Sequence, residues 1–96
     1  MPTPTTKKYV KAAMEILRTV TETIVAVGPD GAPEGTLYAC MMTYTSAHQF
    51  ERIMHLLKSS GLITIQNHVV KATPRAVRAH GDKYANLWPT RVYTDE

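Results

Sequence analysis

The sequence predicts a small, mainly helical domain that carries one β-hairpin. Three segments repeat apolar residues at steps of three and four, the pattern of amphipathic helices. After them, two runs rich in β-branched residues flank a two-residue polar joint, the pattern of a hairpin. A chain of 96 residues with 44% hydrophobic residues has room for one core and no second domain.

The first helix is predicted over residues 7–27, after a disordered N-terminus at residues 1–6. Its apolar stripe consists of Tyr9, Val10, Ala13, Ile16, Leu17, Val20, Ile24 and Val27. The glycines and proline of residues 28–31 end it. Met14 and Val25 lie off the stripe. Exposed apolar side chains on a long helix indicate a helix partner, so we predict a partner or dimer interface here.

The second and third helices follow closely. Pro33 and Glu34 open the second helix, since proline fits a first helical position and an acid suits the dipole there; the helix ends near Tyr44. Ser46 and Gln49 form a capping-box pattern at the start of the third helix, residues 46–60. Its apolar stripe consists of Ala47, Phe50, Ile53, Met54 and Leu57. The opposite face collects His48, Arg52, His55 and Ser59.

A hairpin follows Gly61, with its strands at residues 62–66 and 69–73 and its turn at Asn67-His68. Residues 74–96 show no clear period and form a C-terminal extension. This extension contains Trp88, which either folds back on the domain or anchors a partner.

Several stretches together carry a family resemblance. They are Pro33-Glu34-Gly35-Thr36-Leu37-Tyr38, Phe50 and Ile53 in the third helix, and Leu57-Lys58-Ser59-Ser60-Gly61-Leu62-Ile63. In this order of elements, residues 31–73 resemble the winged helix-turn-helix DNA-binding superfamily, in the compact form of small bacterial, phage and plasmid regulators. The resemblance implies three helices plus a wing over residues 7–73.

The resemblance also implies a mode of DNA binding, in which the third helix enters the major groove and the wing contacts the adjacent backbone or minor groove. Arg52 is the candidate for a guanine edge and Gln49 for adenine. The implied DNA-contacting residues are Thr45, Ser46, His48, Gln49, Arg52, His55, Ser59, Asn67, His68, Lys71, Arg75 and Arg78. Thr45 and Ser46 would hold a phosphate at the helix N-terminus.

The charge distribution suits a modest contact with a polyanion. The net charge is +3, and the positive residues avoid residues 28–45 and recur from residue 46 to Arg78. We therefore expect a cytoplasmic, sequence-specific transcriptional regulator that binds double-stranded DNA as a homodimer. Two alternatives stay open: a winged-helix module that docks on another protein, and a nucleoid-type protein that binds DNA without sequence preference.

Other function classes find little support in the sequence. The single cysteine, Cys40, excludes an intrachain disulfide framework and fits a reducing compartment. His48 and His55 are about 10 Å apart along the helix axis, too far to share a metal ion. The sequence has no glycine-rich phosphate loop, no nucleophile–histidine pattern and no long apolar run. We expect no catalytic activity, no cofactor, no metal and no membrane span.

Overall fold

The structure is a computed structural model that describes the chain from residue 4 to residue 94, with side chains from residue 11 to residue 93. In this part the elements are α1 (Pro4–Val27), β1 (Ala32–Pro33), α2 (Glu34–Met41), α3 (Ala47–Ser59), β2 (Ile63–Gln66), β3 (Val69–Ala72), α4 (Pro74–Ala79), a 3₁₀ helix (Gly81–Tyr84) and α5 (Arg91–Thr94). The predicted class, mainly helical with a hairpin, is confirmed. The predicted count of three helices is wrong, since residues 4–94 form five α-helices.

The sheet contains the predicted hairpin and one strand that was not predicted. Its strands are antiparallel in the order β1-β3-β2. Asn67 and His68 have φ of 52° and 64°, and a two-residue hairpin turn of the favoured type needs positive φ at both positions. β1 is only two residues long and pairs Ala32 with Val70. So short a strand has no alternation for the sequence to reveal.

Among the described side chains of α1, those of the C-terminal half join the core. It begins at Pro4, earlier than the predicted residue 7, because proline fits the first turn of a helix. Residues 1–3 of the predicted disordered N-terminus lie outside the described residues. Residues 11–15 are all exposed, whereas Val20 and Ile24 are buried where α1 packs against β3 and α4.

Helices α2 and α3 form the predicted pair joined by a tight connection. α2 ends at Met41, and the predicted capping box starts α3: the Ser46 hydroxyl accepts from the Gln49 amide at 3.2 Å, and the Gln49 side chain accepts from the Ser46 amide at 3.2 Å. Phe50, Met54 and Leu57 are buried, as the stripe predicts. This leaves the opposite face of α3 outside the core.

The C-terminal extension folds back on α1. Trp88 is only 9% exposed, and its indole N–H donates to the Val25 carbonyl at 2.8 Å. Val25 itself is fully buried, because the extension covers the side of α1 that the sequence leaves open. The predicted partner contacts at Val25 and Trp88 are therefore wrong. Met14 is 61% exposed, and its place in an interface stays a prediction.

A carboxylate on α1 links the helix to the extension. Glu22 accepts hydrogen bonds from the Lys83 ammonium and the Tyr84 hydroxyl. These bonds, that from Lys83 first, hold the pKa of the Glu22 carboxyl below its ordinary value. A carboxyl with a depressed folded-state pKa contributes stability above its unfolded pKa and loses that contribution as the pH falls through the folded value.

We therefore expect Glu22→Gln to lower the Tm at neutral pH. The difference in Tm from wild type should disappear once the pH is below the pKa of the Glu22 carboxyl in both the folded and the unfolded state. Thermal melts followed by circular dichroism across this acid range measure the effect. Glu15→Gln, at an exposed position on the same helix, is the matched control and is expected to leave the Tm nearly unchanged. A Glu22→Gln difference that stays constant with pH would contradict the role of the ionised carboxylate.

Candidate nucleic-acid interface

The outer face of α3 carries the predicted recognition residues. The spacing of the helix places them on the side opposite the buried Phe50, Met54 and Leu57. The structure leaves all of them exposed: His48, Gln49, Arg52, His55 and Ser59. The face is open to a ligand, and neither the C-terminal extension nor the hairpin covers it.

Thr45, just before α3, is placed differently from the prediction, whereas Gln49 lies in the predicted capping box. Thr45 is 6% exposed and its hydroxyl has no hydrogen-bond partner among the described residues, so the predicted phosphate contact through this side chain is wrong. Its backbone N–H donates to the Met41 carbonyl at 3.0 Å, closing the turn after α2. The Oε1 atom of Gln49 is engaged in the capping box. Bidentate pairing with adenine would use the second lone pair of that oxygen, and the capping-box bond restricts the directions in which the Gln49 side chain can reach a base.

The recognition face forms one wall of a groove between α1 and α3, and the volume of this groove is about 620 Å³. Its apolar lining comes from Ala13, Ile16, Leu17, Ile53 and Leu56, and its polar lining from the α3 face together with Glu51. Leu56 is 47% exposed, so the apolar lining of the groove reaches the surface. The sequence does not predict this groove, although Leu56, an apolar residue off the stripe of α3, is a signal for it.

The hairpin turn lies next to the start of α2. His68 is 92% exposed at its side chain, and its Nδ1 lies 3.3 Å from a carboxylate oxygen of Glu34. The Glu34 amide also donates to the His68 carbonyl at 2.8 Å. These contacts with α2 hold the turn in place. The negative charge of the Glu34 carboxylate would repel a DNA phosphate close to His68. Asn67 and Lys71 are exposed, and Lys71 forms no ion pair with an acidic side chain among the described residues.

Arg75 and Arg78, two of the implied DNA contacts, lie apart from the hairpin turn. Both lie on α4, at the end of the hairpin away from Asn67-His68. A strand of four residues spans about 13 Å, so these arginines are separate from the turn. They line a second cavity together with Arg91.

The α3 face offers hydrogen-bond donors and one permanent positive charge. Arg52 presents a planar guanidinium group whose N–H groups match guanine O6 and N7. The Ser59 hydroxyl donates to the His55 carbonyl at 2.6 Å, so it can offer a base only its acceptor oxygen.

Among the described side chains, no three potential metal ligands come together. None of the helices in residues 4–94 combines the length and the apolar composition that crossing a membrane requires. Comparison with models of protein families, with curated proteins and with solved structures finds no match for the chain.

Proposed function

We propose that the chain is a winged-helix protein that binds double-stranded DNA and reads a specific sequence with the outer face of α3. In this proposal it acts as a transcriptional regulator and binds as a homodimer. Arg52 contacts a guanine edge, His48 and His55 flank it, and Asn67 and Lys71 of the hairpin contact the backbone.

The order of the elements carries the proposal. A helix, a short strand, a helix-turn-helix pair and a hairpin follow one another as α1-β1-α2-α3-β2-β3, and the sheet order is β1-β3-β2. This arrangement sets the hairpin beside the second helix of the pair, as a wing lies beside a recognition helix. The exposed polar face of α3 supports the same function, because it is free of the core and of the extension.

The charge count predicts a modest affinity for one copy. The outer face of α3 carries Arg52, and Glu51 adjoins it in the groove. With at most about 5 phosphate contacts, the logarithm of the affinity should fall with the logarithm of the salt concentration at a slope of about −4 to −5. A dimer doubles these contacts, and the projecting half of α1 with Met14 is where a second copy would meet the first.

We expect Arg52→Ala to weaken binding to a selected DNA sequence by about 1–3 kcal/mol and to relax the preference at one base pair. The sequence comes from selection against a random DNA pool, and fluorescence anisotropy on a labelled duplex measures the affinity. Lys58→Ala, on the same helix outside the recognition face, is the control and should weaken all sequences by a smaller, uniform amount. An Arg52→Ala protein with unchanged affinity and unchanged preference would contradict the proposal.

The groove between α1 and α3 favours a second candidate, a module that docks on a partner protein. Two helices with an apolar floor between them accept an amphipathic helix, whose anchors would meet Leu17, Ile53 and Leu56. Retention on a DNA column at about 150 mM salt separates the two functions, because a docking module flows through. Competition by unrelated DNA then distinguishes sequence-specific binding from the non-specific nucleoid type.

A further inference from the structure

The groove between α1 and α3 has the size and the walls of a site for a small molecule. Its volume is about 620 Å³, and small-molecule sites in proteins span roughly 300–1,000 Å³. The apolar walls consist of Ala13, Ile16 and Leu17 on α1 and Ile53 and Leu56 on α3. Clefts between helices are common places for such sites. Size and walls alone fit more than one occupant, among them the anchors of a partner helix.

A buried polar group at this groove lacks a hydrogen bond. Thr45 is one of the lining residues, it is only 6% exposed, and its hydroxyl has no hydrogen-bond partner among the described residues. Buried polar groups in folded proteins are nearly always paired, because an unpaired group has lost its bonds to water without replacing them. A ligand in the groove that accepts a proton from this hydroxyl would supply the missing bond.

We propose that the groove binds a small apolar molecule that carries a carbonyl or hydroxyl oxygen, and that this oxygen accepts the hydroxyl proton of Thr45. The apolar body of the ligand lies between Leu17 on one side and Ile53 and Leu56 on the other. The Thr45 side chain turns about a single bond, so its hydroxyl meets the ligand by a change of rotamer while the backbone stays in place. The apolar anchors of a partner helix offer no acceptor, and the unpartnered hydroxyl therefore favours the small molecule.

A ligand in this groove also affects the recognition face, because the two share side chains. His48, Arg52 and His55 line the groove and belong to the exposed face of α3. A molecule that fills the groove therefore competes with a DNA duplex for these side chains. The competition rests on the proposed DNA binding, whereas the occupation of the groove does not.

Acetophenone is the probe, and α-methylstyrene, in which a methylene group replaces the carbonyl oxygen of the same planar body, is its match. Titrations followed by two-dimensional amide NMR give both dissociation constants and locate the ligand by the signals that shift. Thr45→Val removes the hydroxyl at nearly constant shape, and it should fold as well as wild type because this hydroxyl is unpartnered. We expect it to weaken acetophenone by on the order of fivefold and to change α-methylstyrene by less than about twofold.

Ala13→Leu and Ala12→Leu form a matched pair that tests the location of the ligand. Both alanines are exposed on α1, and of the two only Ala13 lines the groove. Leucine has nearly the helix propensity of alanine, so both variants should fold. Ala13→Leu should weaken both ligands severalfold because its side chain fills the groove, whereas Ala12→Leu should weaken neither.

Fluorescence anisotropy on the labelled duplex tests the competition. Acetophenone at about ten times its own dissociation constant should raise the apparent dissociation constant of the DNA by on the order of tenfold, the result of mass action for two ligands that exclude each other. In Ala13→Leu the same concentration of acetophenone should have a much smaller effect on DNA binding.

Four outcomes distinguish the parts of this inference. Equal affinity of wild type and Thr45→Val for acetophenone would overturn the role of the hydroxyl and leave the apolar walls to a partner helix. Amide shifts that are absent, or that lie away from α1 and α3, would remove the site. Simultaneous binding of acetophenone and DNA would overturn the competition. A protein that binds acetophenone in the groove but binds no DNA would refute the proposed function and support the site.

Discussion

Gly31→Ala is expected to destabilise the protein by about 2–4 kcal/mol, a large part of the stability of a domain of this size. Gly31 has φ of +72°, a conformation that costs alanine about 1–2 kcal/mol. A Cβ there would also lie 2.3 Å from the Val70 carbonyl oxygen and 2.6 Å from Cγ of Lys71. The first of these atoms belongs to the backbone of β3, so relief requires β1 and β3 to separate. Urea denaturation followed by circular dichroism measures the loss.

Two other glycines separate the causes of this effect. Gly28 has φ of +99° and open space around a Cβ, so an alanine there meets no neighbouring atom. Gly28→Ala should therefore lower the free energy of unfolding only by the cost of the positive φ, about 1–2 kcal/mol. Gly35 lies within α2 with open space and no positive φ, so Gly35→Ala should stabilise by about 0.5–1 kcal/mol. Equal losses in Gly31→Ala and Gly28→Ala would refute the close approach of residue 31 to β3.

Elements whose signals are local could be predicted from the sequence. The capping box of Ser46 and Gln49 starts α3 where it was expected, and Gly61 follows its end with φ of +77°. The hairpin also follows from neighbouring residues, because its turn and both strands lie within a short stretch of chain. In each case the residues that determine the geometry are adjacent along the chain.

Elements that depend on distant residues could not be predicted. β1 exists because Gly31 lets the chain approach Val70, which lies far along the sequence. Val25 was expected to be exposed because it lies off the apolar stripe, but it is buried in the core and its carbonyl accepts from the distant Trp88. α4 and α5 have six and four residues, too few to show a helical period.

The same distinction applies to the candidate sites. The exposure of Arg52 follows from the period of α3 alone. The groove beside it needs the relative position of α1 and α3, and the carboxylate of Glu34 near His68 needs β1 to carry α2 to the hairpin turn. The second cavity combines Gly61, α4, α5 and Trp88, so the sequence pointed to Arg75 and Arg78 without revealing what surrounds them.

Trp88→Ala is expected to destabilise the protein by about 3–5 kcal/mol, the usual cost of removing a buried tryptophan. The indole is buried against α1, and its N–H donates to the Val25 carbonyl at 2.8 Å. Its loss would leave a cavity between α1 and the extension. Urea denaturation followed by far-ultraviolet circular dichroism measures the change, because the fluorescent group is removed.

Trp88→Phe separates two contributions to the free energy of unfolding, the packing of the ring and the hydrogen bond of the indole N–H. The Val25 carbonyl also accepts from the Gly28 amide at 3.1 Å, so the loss of the indole N–H does not leave it unpaired. Trp88→Phe should therefore cost clearly less than Trp88→Ala. Leu87→Ala, at a 42% exposed neighbouring position, is the control and should lower the free energy of unfolding by less than either Trp88 variant.

A Trp88→Ala protein as stable as wild type would mean that the C-terminal extension does not unfold together with the rest of the domain. Trp88 would then be available to a partner, and the second cavity, which is lined by Trp88 and by residues of α5, would lose one wall.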